Sequence, residues 1–278
     1  MTRYRLGVLV HQLYVRKEYK GEALAQLKKG EATSADFHRG LRELEDNGIL
    51  LPYPGFGAQV YGLLGRKDDD AEEVACSIDP FCYVSHLSAM AYHGLTNRIP
   101  SKIFLSSPPP VKWREFARER MRKNLGDDMA AYIRNGMPQL TRGEMAKIKG
   151  LEVHRFSSSH LGAYKNVRDK VTRMATLGRT FLDMLRDPDL CGGMRHVVEV
   201  FQEHGAKYQQ LIIDEIQQHG AAIDKVRAGY LLEEELHLKD PAFDDWVTFA
   251  QRGGSRKLDA AGEYRAEWSD RWCLSLNL

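Results

Sequence analysis

Between Thr33 and Asn47 the segment TSADFHRGLRELEDN puts Ser34, His38, Arg39 and Arg42 on one helical face and Phe37, Leu41 and Leu44 on the other. Hydroxyl, imidazole and guanidinium groups at that spacing suit a helix lying in a DNA major groove. There they donate to base edges and pair with phosphates. Thr33 stands three residues before Asp36, a variant of the capping box that fixes where this helix begins. Lys28 and Lys29 precede it, and the run after Gly48 carries Tyr53 and Phe56 toward a turn through Pro54, Gly55 and Gly57. A hairpin tip of this kind reaches phosphate backbone or minor groove. The same features also suit a module used for protein contacts, or a solvated basic helix face.

Signatures of catalysis are missing from the sequence. No stretch fits a P-loop, a dinucleotide-binding glycine motif, a zinc-protease helix or a nucleophile elbow. The nearest thing to a phosphate cradle is QRGGSRKLD, residues 251–259. Gly253 and Gly254 free its backbone, and Arg252, Ser255, Arg256 and Lys257 supply donors. A tight turn tied down by its own side chains is the alternative. Asp183 follows Arg179 by four residues in a helical pattern, the spacing of an ion pair. Cys76, Cys82, Cys191 and Cys273 form no C-x-x-C pair, so reduced, buried thiols are expected. His86 and His93 lie seven apart with no carboxylate or cysteine at ligand spacing. No catalytic residue, metal or cofactor is expected.

The elements that must position these groups follow from periodicity. Leu6, Leu9, Val10 and Leu13 predict a first helix, Leu24 and Leu27 a short second one closed by Gly30, and residues 34–46 a third. ILLPY and AQVYGLL predict the two strands of a hairpin. Three helices and a hairpin are the order of a winged helix-turn-helix, expected over residues 1–66. That stretch holds ten Lys plus Arg against seven Asp plus Glu, a local excess in a chain whose net charge is only +2. The charged run GRKDDDAEE predicts a linker over 67–77, leaving 78–278 as a larger α/β domain with a modest sheet covered by helices.

Within that domain a helix is expected from Asp79 and Pro80 to Gly94, a strand at SKIFLSS and a basic helix over 111–125. That helix sets Trp113, Phe116 and Met121 among six basic and two acidic residues, and it suits phosphates or an acidic partner as well as plain surface packing. A strand at GLEVHRF follows, then a helix capped by Thr176. Three more helices over 193–204, 206–219 and 221–237, and a closing strand at RWCLSLN, complete an α+β chain. Its 43% apolar content supports a sizeable core across 278 residues. No apolar run approaches membrane length and the N-terminus lacks a signal-peptide cleavage site, so a soluble, cytoplasmic protein without a membrane partner is expected.

The segments ATLGRTFLDMLRDPDLCGG (175–193), RAGYLLEEEL (227–236), RGGSRKLD (252–259) and RWCLSLN (271–277), behind YVSHLSAMAYHGL (83–95) and the N-terminal helices, resemble the AbiEi family of antitoxins. The match spans nearly the whole chain except the basic segment 111–150. The resemblance implies a bacterial toxin-antitoxin operon associated with phage defence. In such a system the winged helix binds inverted repeats of double-stranded DNA in its own promoter, and the C-terminal domain counters a cognate nucleotidyltransferase toxin. DNA recognition would then belong to Ser34–Arg42 and the Phe56 hairpin. Arg179, Asp183, Arg227, Arg252, Ser255, Lys257 and Asp259 would be motif positions of the antitoxic half. Two other classes stay open. One is an enzyme acting on nucleotides or nucleic acid, with Asp183 or Asp259 as acid or metal ligand; the other is a transcription regulator with a sensory domain.

Overall fold

A computed structural model describes residues 1–65, 70–251 and 256–278. The first helix, α1 (Arg3–Arg16), begins where the Thr2 hydroxyl accepts the Arg5 N–H at 3.3 Å, and ends at Lys17 in a left-handed conformation. No second helix follows. Residues 18–23 form a hairpin of β1 (Glu18–Tyr19) and β2 (Glu22–Ala23) instead, and Leu24 and Leu27 lie outside any helix. Lys20 and Gly21 both take positive φ, 51° and 83°, the two-residue turn that suits the twist of a tight hairpin. The expected helix at Leu24 and Leu27 is thereby corrected. Its helical spacing is too short to outweigh that turn.

The third expected helix is present as α2 (Ser34–Asp46), and the hairpin follows as β3 (Leu50–Pro52) and β4 (Tyr61–Leu63), in register Leu50↔Leu63, Leu51↔Gly62 and Pro52↔Tyr61. Where a linker was expected, α3 (Ala71–Ile78) forms. Asp70 caps it by accepting the Glu73 N–H at 2.8 Å, Glu72 and Glu73 favour the positive end of its dipole, and Val74, Ala75 and Ile78 are buried. Asp70, Glu72 and Glu73 thus begin a helix, and residues 66–69 of the charged run lie outside the described residues. Asp79 ends α3 rather than beginning the next helix. Its buried carboxylate accepts from the Phe81 N–H, the Ser107 hydroxyl and the Trp113 indole, each at 2.9 Å. Between it and Gly94 lie a short strand, β5 (Tyr83–Val84), and α4 (His86–Tyr92).

The chain continues through β6 (Lys102–Ser107), α5 (Pro110–Leu125), α6 (Met129–Arg134), β7 (Lys147–Ile148), β8 (Leu151–Ser157), β9 (Tyr164–Asn166) and β10 (Arg173–Ala175). It then runs through α7 (Leu177–Arg186), α8 (Met194–His204), α9 (Gln209–His219), α10 (Ala222–Gly229), a π-helical turn (Tyr230–Glu235), α11 (Ala242–Val247), β11 (Trp268–Ser269) and β12 (Leu274–Ser275). The result is a mixed α+β fold: N-terminal helices with small hairpins, then a six-stranded mixed sheet in the order β7-β8-β6-β5-β10-β9 packed with helices. β5 and β10 run parallel, and β5 with β6, β7 with β8 and β9 with β10 run antiparallel.

The compact units do not follow the expected division at 66 and 78. One comprises Met1–Cys82 with Ser107–Val153, the other Tyr83–Ser106 with His154–Leu278. In the first, Tyr4, Leu6 and Val8 of α1, Phe37 and Leu41 of α2, and Leu50 and Tyr61 of the hairpin share one core with Met121, Leu125, Tyr132 and Met137. The basic helix α5 is therefore a structural member of the helix-and-hairpin unit. Burying Phe37 completely contributes about 1.5–3 kcal/mol by itself.

In the second unit Phe181, Leu182 and Leu185 of α7 pack with Val197 and Phe201 of α8, Ile212 and Ile216 of α9, Leu231, Trp246 and Trp272. Two glycines set close approaches. At Gly178 a Cβ would overlap the Leu211 carbonyl and stand 2.9 Å from the Glu215 Cβ, so α7 and α9 touch through bare backbone. At Gly229 a Cβ would fall inside the Trp272 ring, whose indole N–H donates to Glu233 at 3.1 Å. Arg271 donates to the same carboxylate at 2.6 Å.

Opposite effects are expected from two substitutions. Gly229→Ala should destabilise the protein by about 1–3 kcal/mol or more, because the indole has nowhere to move. Gly40→Ala, in helical backbone with open space around it, should stabilise by about 0.5–1 kcal/mol. Thermal unfolding of the two variants checks both signs.

Candidate nucleic-acid interface

The N-terminus of α2 is fixed by one carboxylate. Asp36, 6% exposed, accepts from the Thr33 N–H at 3.1 Å and the Thr33 hydroxyl at 2.7 Å, while the Thr33 oxygen faces the Asp36 N–H at 3.4 Å. Lys29 reaches the same carboxylate at 3.3 Å, and Arg39 donates to its other oxygen. These hydrogen bonds and the Lys29 charge hold the Asp36 carboxyl down at about 2 against the opposing effect of burial. Thr33 and Lys29 are thus engaged in building the helix end. Arg39 touches Asp36 through one nitrogen and its side chain is otherwise largely exposed.

Ser34 is partly covered. Its N–H donates to the Asn135 carbonyl at 2.9 Å, and Gly136 lies against its Cβ, so the segment after α6 closes over the first turn of α2. Around that turn His38, Arg39 and Arg42 are exposed on the outer face, as the sequence predicts, with Phe37 and Leu41 buried beneath them. The Arg42 Nε donates to the His38 carbonyl at 3.4 Å. Glu43 and Asp46 make the C-terminal half of the same helix acidic. Any polyanion is therefore drawn to the N-terminal half. Lys28 offers its carbonyl to Lys17, which donates at 3.2 Å. At the hairpin tip the rings of Tyr53 and Phe56 pack 5.9 Å apart, both half-buried.

One residue of this face was not predicted. Arg3 of α1 donates to the His38 Nε2 at 2.8 Å, lies over the Phe37 ring at 5.4 Å and points another nitrogen toward the Ala58 carbonyl of the hairpin at 3.5 Å. Arginine only donates, so the His38 Nε2 must accept and its Nδ1 carries the proton, which it gives to the Ser34 carbonyl at 2.7 Å. Arg3 links α1, α2 and the hairpin in a single crook. The sequence signal available was the absence of any acid in the first turn of α1.

The motif positions of the second unit are brought together as pairs that hold the fold. Arg179 donates to Asp183 at 2.7 Å, both buried, and Tyr83 lies close enough for burial and the Asp183 charge to push its hydroxyl up to about 12. Burial raises the Asp183 carboxyl despite the neighbouring guanidinium. Arg227 donates to the Lys257 carbonyl at 3.1 Å and the Leu185 carbonyl at 3.0 Å, pinning the 257 loop to the end of α7. Lys257 donates to the Gly262 carbonyl, and Asp259 exchanges two backbone hydrogen bonds with the Asn277 side chain. Arg252 and Ser255 lie outside the described residues. All four cysteines are buried. Among the described residues no three His, Cys, Asp or Glu side chains are grouped to hold a metal, and no helix is long and apolar enough to cross a membrane.

No family model matches the sequence, and no curated protein matches it. Among solved structures the chain is similar to the crystal structure of the RV2827C protein from Mycobacterium tuberculosis. Identity is 14% over 90% of this chain and 82% of that one, with a TM-score of 0.45.

The Asp36 cap has a pH signature. Because its folded pKa lies below the ordinary 3.8, the cap contributes stability that is complete above about pH 4 and disappears as pH falls through about 2. Asp36→Asn should cost roughly 2 kcal/mol at neutral pH and almost nothing near pH 2. Urea unfolding of both proteins across that range measures it; a pH-independent difference would contradict the assignment.

Proposed function

We propose that the helix-and-hairpin unit binds double-stranded DNA, with α2 as the groove-reading helix and the Tyr53–Phe56 tip on the adjoining backbone. The observation that carries this reading is the contiguous row Arg3, His38, Arg42, with Arg39 beside it, running from α1 across α2 beside the hairpin. A helix with side chains is about 10–12 Å across and the major groove about 12 Å wide, so the N-terminal half of α2 fits. Exposed Arg114, Arg118 and Arg122 on α5, in the same unit, add to its positive field.

With the AbiEi-like motifs, this makes the protein a DNA-binding antitoxin. It represses its own operon through inverted repeats and counters a cognate nucleotidyltransferase toxin through the second unit, without catalysis of its own. The engagement of Arg179 with Asp183, and of Arg227, Lys257 and Asp259 with carbonyls or with Asn277, supports a structural use of those motif positions. The surface that opposes the toxin then lies on other residues.

Fluorescence anisotropy with a duplex from upstream of the gene tests the DNA half. Arg39→Ala with Arg42→Ala should weaken binding by about 1–3 kcal/mol for every base that those guanidiniums read. Unchanged affinity removes α2 from the interface. For the other half, co-expression with the nucleotidyltransferase of the same operon should restore growth, and unrelieved arrest counts against the antitoxin role.

A further inference from the structure

The crook that holds Arg3 opens into a pocket of about 540 Å³, within the range of small-ligand sites. Its walls come from the start of α1, from His38, from Gln59 and Val60 of the hairpin, and from residues 136–143. Arg3 is its only charged lining residue among those described, and no carboxylate lies within ion-pair distance of that guanidinium among the described residues. Gln59, Gln139 and Thr141 offer neutral amide and hydroxyl donors around it. The cation is also held in place. The Phe37 ring lies beneath it, the His38 Nε2 takes one of its five N–H groups and the Ala58 carbonyl faces another, which leaves three for a ligand.

We propose that this pocket seats a phosphate group, with Arg3 as the paired cation and Gln59, Gln139 and Thr141 as hydrogen-bond donors. A half-buried guanidinium with no carboxylate at ion-pair distance among the described residues, in a pocket lined by neutral donors, matches a tetrahedral oxyanion, which the arginine fork meets with two parallel hydrogen bonds. An acidic lining would argue for a metal or an amine, and a wholly apolar one for a hydrophobic ligand. Neither describes these walls. The phosphate has two possible sources: the backbone of the DNA read by α2, in which case the inference rests on the reading above, or a free phosphate or phosphomonoester. In the second case the ligand shares His38 and Gln59 with the DNA-facing side, and its binding would compete with DNA.

The full-length protein, Arg3→Gln and Arg3→Lys are compared in two experiments. In the first, affinity for the upstream duplex is measured against salt concentration. A DNA phosphate at Arg3 predicts that Arg3→Gln lowers the magnitude of the log–log slope by about 0.9 while Arg3→Lys keeps it. In the second, inorganic phosphate is titrated at constant ionic strength into the unmodified protein and followed by NMR at the His38, Gln59 and Thr141 amides. Saturable shifts there that Arg3→Gln abolishes show a free-phosphate site.

A positive result in either experiment upholds the seat and identifies its source. An unchanged slope together with no saturable shift at those amides overturns it. If the unmodified protein binds no duplex, the DNA reading fails and the phosphate titration alone decides the inference. That titration also needs no variant to fold in order to give a negative answer.

Discussion

The candidate interface depends on the Asp36 carboxylate. Four groups converge on it: the Thr33 N–H and hydroxyl, Lys29 and Arg39. Its first effect is to start α2 at Ser34, which fixes the helical phase. With that phase set, Phe37 and Leu41 turn into the core while His38, Arg39 and Arg42 turn out. A start one residue later would rotate the face by about 100° and expose a different set of side chains. The outward cations are therefore consequences of a cap, and His38 then holds Arg3 across the crook.

A second constraint is that α1, α2 and the hairpin do not close their own core. Met121, Leu125, Tyr132 and Met137, from a segment that returns far along the chain, share it. In a continuous helix-turn-helix a second helix would lie between α1 and α2. Here that stretch is a hairpin and turns. The returning segment also covers Ser34 and walls the Arg3 pocket through residues 136–143. It belongs to the fold of the candidate interface as much as α2 does.

What the sequence made legible was local. The Thr33–Asp36 box, the inner stripe of α2, the β3–β4 hairpin and the Thr176 cap are set by neighbours within a few residues, and each stands in the structure, with the second hairpin strand shortened to Tyr61–Leu63 by a 3-10 turn over Gly57–Gln59. The errors arose where two local signals competed or where the deciding partner was distant. Leu24 and Leu27 are spaced for a helix, but Lys20 and Gly21 make a two-residue turn ahead of them. The charged run that leads into α3 reads as a linker until Val74, Ala75 and Ile78 are seen to bury a face. Asp79 resembles a helix start, yet Ser107 and Trp113, 28 and 34 residues away, occupy its carboxylate. Arg3 carried no motif, because its role comes from His38 and Ala58. In the second unit the motif glycines and arginines were visible, but Gly229 against Trp272 and Arg227 on two carbonyls give them structural work that spacing alone does not reveal.

Hydrogen exchange of the full-length protein, with and without a duplex from upstream of its gene, tests the central claim most directly. Backbone amides of α2, of the β3–β4 hairpin and of residues 136–143 should exchange more slowly in the complex, with Tyr83–Ser106 and His154–Leu278 unchanged. Binding that protects only the second unit, or that leaves α2 exchanging at its free rate, would contradict the claim that this helix and hairpin meet DNA.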